Sequence, residues 1–110
     1  MNIMTIDGQN AVITYDPSID MFRGEFLGLA GGADFYANTT AKLRAEGAIS
    51  LRVYLDMCSE KGRDPFRHFS GKFNARIDPE LHARAVEVAA AEGMSLNQFI
   101  ERAIEHEVSA

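Results

Sequence analysis

The stretch from Lys72 onward constrains the fold more than any other part of the chain. Lys72, Phe73, Asn74, Ala75, Arg76 and Ile77 alternate strictly between polar and apolar, the period of a strand. Asp78 and Pro79 then start a helix as N-cap and first-turn proline. Leu81, Ala85, Val88 and Ala89 share one side of that helix, and Gly93 ends it, glycine being the residue best suited to a left-handed helix end. Ser95 opens a second helix with Gln98 three residues on, a capping box, and Leu96, Phe99, Ile100, Ala103 and Ile104 follow in helical phase. A strand and two helices of about 40 residues cannot bury enough surface to fold alone. The pattern requires a partner, most simply a second copy of itself.

If two copies pair these strands antiparallel, Phe73, Ala75 and Ile77 turn inward and join Leu81, Leu96, Phe99 and Ile100 in a shared dimer core. Lys72, Asn74 and Arg76 then project together from the opposite side. Such a two-stranded ribbon fits the DNA major groove, where Arg takes guanine O6 and N7 and Asn takes adenine N6 and N7. The start of the second helix, at Met94, Ser95 and Asn97, offers backbone N–H groups and a positive dipole end to a phosphate. Alternation alone would also produce an ordinary solvent-facing strand. What favours base reading is the order of strand, proline, Gly-x-Ser and apolar phasing.

Charge limits that reading. The whole chain carries a net −5, which argues against indiscriminate binding to nucleic acid or anionic membrane. From residue 71 onward four basic residues stand against seven acidic ones, so affinity per dimer is expected to be modest and salt-sensitive. Two dimers side by side on repeated half-sites would supply the missing avidity.

The first part of the chain reads as a small antiparallel sheet with one helix. Ala11 to Tyr15 and Met21 to Leu27 are short strand-like runs joined by the turn formers Asp16, Pro17, Ser18, Ile19 and Asp20. In the second run Phe22, Gly24 and Phe26 fall on one face and Met21, Arg23 and Glu25 on the other. Met4 to Asp7 is expected to add a strand before the hairpin, and Ala33 to Ala37 another after a glycine-rich break. Thr39 caps a helix whose stripe is Leu43, Gly47, Leu51, Tyr54, Leu55 and Cys58, ending near Gly62. Gly47 inside it costs about 1 kcal/mol relative to alanine. The expected class is α+β, with a β/α domain over 1–62, a linker over 63–71 and a dimerisation domain over 72–110.

Little in the sequence suggests chemistry. Cys58 has no second cysteine to pair with and no zinc-ligand spacing around it. Asp7, Asp16, Asp20, Glu25 and Asp34 invite a metal-nuclease reading, but most stand beside Gly or Pro in predicted turns, where aspartate serves the backbone. His68 and His82 lack a Cys, Ser or second His at a recognisable spacing. No catalytic residue, metal or cofactor is therefore expected, and no enzymatic activity. No run approaches the roughly 18 apolar residues of a spanning helix, and Met1 to Asp7 lacks a basic then apolar leader. The expectation is a cytoplasmic protein with no membrane partner.

Two resemblances join these readings. The run from Lys72 to Glu107 resembles the ribbon-helix-helix family to which Arc and MetJ belong, with Phe73, Asn74, Arg76, Ser95 and Asn97 at its signature positions. Met4 to Gly71, with Tyr15-Asp16-Pro17, Phe22-Arg23-Gly24, Tyr54-Leu55, Cys58, Glu60-Lys61-Gly62 and Ser70-Gly71-Lys72, is similar to the N-terminal domain of HicB antitoxins. Lys42 departs from that pattern, standing where an acidic residue would complete a capping box with Thr39. The resemblance implies a partial RNase H-like fold that binds and blocks a HicA-type mRNA-cleaving toxin, followed by a domain that represses the operon through sequence-specific operator binding. The alternative is a stand-alone ribbon-helix-helix transcriptional regulator whose first domain is a degenerate HicB-like partner-binding module.

Overall fold

The computed structural model describes residues 2–109, and the chain divides between Ser70 and Gly71 into two units. The described residues are α+β, with one four-stranded antiparallel sheet and three helices.

In the first unit the strands follow one another in space as they do in sequence: β1 (Ile3–Ile6), β2 (Gln9–Asp16), β3 (Met21–Phe26) and β4 (Phe35–Ala37). A two-residue turn, Asp7-Gly8, joins β1 to β2. Both residues have positive φ (48° and 82°), as a type I′ hairpin turn demands. Asp16 accepts hydrogen bonds from the N–H and hydroxyl of Ser18, which fixes the next turn and holds its carboxyl below the usual aspartate range. Tyr15 donates its phenol proton to Asp20 across the same turn at 2.6 Å.

The helix α1 (Thr40–Lys61) covers one face of the sheet. Thr39 caps its start and Gly62, with φ 64°, its end. Of the stripe read from the sequence, Leu43, Gly47, Leu51, Tyr54 and Cys58 are buried and Leu55 is partly so. These residues meet Ile6, Ala11, Phe26, Leu29, Phe35 and Ala37 in a single core. Phe35 occupies the space that side chains at Gly24 and Gly47 would fill. A Cβ on Gly24 would stand 2.1 Å from its ring, and one on Gly47 2.9 Å from the ring and 2.4 Å from Ile6 Cδ1. The helix-weakening glycine thus lets α1 approach the sheet closely. β4 begins at Phe35 rather than Ala33, and the Ala33 carbonyl instead accepts from the Ser50 hydroxyl of α1 at 3.0 Å.

Residues 63–70, expected as linker, belong to the first unit. Ala30 N–H donates to the Pro65 carbonyl and Arg67 N–H to the Gly28 carbonyl, both at 2.9 Å, around a bridge between Leu29 and Phe66. Tyr54 secures this strap. Its hydroxyl donates to the Pro65 carbonyl (3.0 Å) and accepts from Gly31 N–H (2.9 Å). Burial, with Cys58 close by, raises the phenol pKa.

The second unit consists of α2 (Pro79–Ala91) and α3 (Leu96–Val108) packed on each other. Asp78 caps α2 through Glu80 N–H. Gly93, at φ 70°, ends it with Gly93 N–H donating to Ala90 and Met94 N–H to Ala89, a Schellman closure. The Ser95–Gln98 capping box is formed in both directions. Residues 72–78, expected to open with a strand, carry no regular structure in the single chain. A strand exists only as one side of a ladder, and within one chain these residues have no second strand beside them.

Candidate functional site

Lys72, Asn74 and Arg76 are all exposed, immediately before α2. Their apolar neighbours are exposed as well. Phe73 is 68% and Ile77 50% accessible, and Ala75 is open too. On α2, Leu81 is 58% accessible, and on α3 Ile100 is exposed while Leu96 and Phe99 are half-buried. Ala89 is the one fully buried residue among those described in this unit. The single chain therefore leaves most of the expected dimer-core residues open to a partner and covers only Leu96 and Phe99, each in part.

Some of the backbone donors expected to meet a phosphate are engaged within the chain. Met94 N–H is already committed to the Ala89 carbonyl, and Ser95 N–H donates to Gln98 Oε1 at 2.8 Å. The Ser95 hydroxyl accepts from Gln98 N–H. Both Met94 and Ser95 are thus used up in closing one helix and opening the next. Among the described residues, the amides left open at the start of α3 are those of Leu96 and Asn97. Sequence reasoning placed the helix start correctly but treated as free the donors that the Schellman closure and the capping box consume.

In the first unit the carboxylates are scattered. Asp34 pairs with Arg23, Asp16 serves its turn and Asp20 holds Tyr15. Among the described residues no three His, Cys, Asp or Glu side chains come together as a metal site needs. Asp64 accepts from Phe66 N–H and pairs with His68, which together hold its carboxyl below the usual range. His82 is exposed on α2. No helix among the described residues is long and apolar enough to cross a membrane.

Along the sequence, the strap of the first unit is followed by the uncovered apolar residues of the second, and this stretch coincides with a known sequence pattern. Residues 54–104 match the model of the HicB family. The matched stretch begins at Tyr54, the residue that fastens the strap, and runs through most of α3. The similarity to HicB covers slightly less than half of the chain and leaves the sheet outside it. No match was found among curated proteins or among solved structures.

Proposed function

We propose that this chain is the antitoxin of a HicAB-type toxin–antitoxin module. Its first unit binds and occludes a HicA-type mRNA-cleaving toxin, and its second unit dimerises as a ribbon-helix-helix and represses its own operon. The action is occupancy, without a catalytic step or a cofactor. The observation that carries the reading is the second unit, most of which lies within the HicB match and which exposes Phe73, Ile77, Leu81 and Ile100 around a single buried residue among those described. Pairing residues 72–77 with a second copy would cover that surface and complete a ladder. It would also bring Lys72, Asn74 and Arg76 of both chains onto one face suited to base edges. Of the three residues expected there, Asn97 keeps an open amide, beside that of Leu96, to meet a phosphate.

Two tests apply. Replacing Asn74 or Arg76 by alanine is expected to weaken operator binding by about 1 to 3 kcal/mol and to relax base preference. Unchanged affinity and preference in a titration would remove the base-reading role. Co-expression with the product of the adjoining gene is expected to relieve growth arrest and give a complex that copurifies. The sheet lies outside the HicB match, which favours a second reading: a ribbon-helix-helix regulator whose first unit binds some other protein. Absence of any copurifying small neighbour, with operator binding intact, would select it.

A further inference from the structure

The first unit contains a groove where the Asp7-Gly8 turn, α1 and the strap meet. Leu51, Leu55 and Phe66 form its apolar part, and Asp7, Asp56, Gln9 and Arg52 its polar part. Its volume is about 200 Å³. Small-molecule sites run roughly 300 to 1,000 Å³, so this one has room for a single long side chain.

The aspartates of the unit divide into two groups. Asp16, Asp20, Asp34 and Asp64 are each engaged by a turn hydroxyl, a phenol, an arginine or a histidine. Asp7 and Asp56, the two that line the groove, make no side-chain hydrogen bond or ion pair among the described residues, and neither does Arg52. The groove's charged groups sum to one net negative charge. An apolar wall beside unengaged carboxylates complements a side chain with an aliphatic stem and a cationic head. Phe66 is 39% accessible and offers a ring face as well.

We propose that this groove takes an arginine side chain of a protein partner. Arginine fits better than lysine, because its planar guanidinium donates in two directions, so that it can engage a carboxylate bidentately, and stacks on an aromatic face. The identity of the partner rests on the antitoxin reading, under which the arginine belongs to the toxin. The groove does not depend on that reading.

The test has two arms. In the first, N-acetyl-arginine N-methylamide is titrated into the full chain by amide NMR, beside its neutral citrulline counterpart. The arginine probe is expected to shift amides at residues 7–9, 51–56 and 66, and citrulline to do so far less. Asp7→Asn combined with Asp56→Asn should weaken the arginine response by about tenfold. Asn-Gly supports the same hairpin turn, so the variant keeps its fold. Equal shifts from citrulline, shifts spread over acidic residues generally, or an unaffected double variant overturn the proposal. In the second arm the chain is co-purified with the adjoining gene product. A complex that tolerates the double substitution sinks the groove and leaves the antitoxin standing. No complex with the unsubstituted chain sinks the antitoxin, and the probe titration still decides the groove.

Discussion

Phe35 fits in the first unit because two residues have no side chain. Gly24 on β3 and Gly47 on α1 would both drive a Cβ into its ring, but the two contacts differ in how readily they relax. At Gly24 the whole obstruction is the aromatic ring, 2.1 Å away, which cannot yield without leaving the core. At Gly47 the nearest atom is the flexible end of Ile6, and alanine would gain about 1 kcal/mol of helix propensity. Gly24→Ala is therefore expected to cost about 2 to 3 kcal/mol and Gly47→Ala about 1 kcal/mol or less, compared by urea denaturation. Equal costs would show that the ring moves freely. The stripe containing Gly47 was legible from spacing alone. Its reason was not, because the ring it faces comes from a strand twelve residues earlier and no local pattern couples the two.

At the scale of elements, the sheet and α1 were readable because alternation, caps and turn formers are local signals. The Asp7-Gly8 turn was equally available, as a two-residue Asp-Gly between apolar runs. The strap was not. Residues 63–70 have no period, and what orders them is backbone pairing with Gly28 and Ala30, more than thirty residues earlier, fastened by Tyr54. Tyr54→Phe keeps the ring and removes the hydroxyl, leaving the Gly31 N–H and Pro65 carbonyl without that partner. It is expected to destabilise the unit by about 1 to 3 kcal/mol and to speed amide exchange at Gly31. Acid should loosen the same strap. Asp64 titrates below the 3.8 of a free aspartate, so its contribution is complete above about pH 4 and is lost as pH falls through the depressed folded value. Urea stability is expected to fall less between neutral pH and about pH 3 in Asp64→Asn than in the unsubstituted chain. An identical fall would place the acid sensitivity elsewhere.

At the scale of the whole molecule the two units differ in what stabilises them, and the difference can be measured separately in each. The first has a core of ten buried residues within one chain, whereas among the described residues the second buries Ala89 alone. If the second unit gains its core by pairing with another copy, its stability depends on protein concentration, each tenfold dilution removing about 1.4 kcal/mol from the dimeric state. The first unit should not respond. The probes are already in place: all three tyrosines, Tyr15, Tyr36 and Tyr54, lie in the first unit and there is no tryptophan. Tyrosine fluorescence therefore reports the first unit only, while far-UV circular dichroism also reports α2 and α3. Thermal melts across a hundredfold range of concentration are expected to show a dichroism transition that moves to lower temperature on dilution and a tyrosine transition that stays fixed. A dichroism transition indifferent to dilution, with the chain at monomer mass throughout, would mean that α2 and α3 are stable with their apolar residues in water. The ribbon, and the base-reading face built on it, would then have no physical basis.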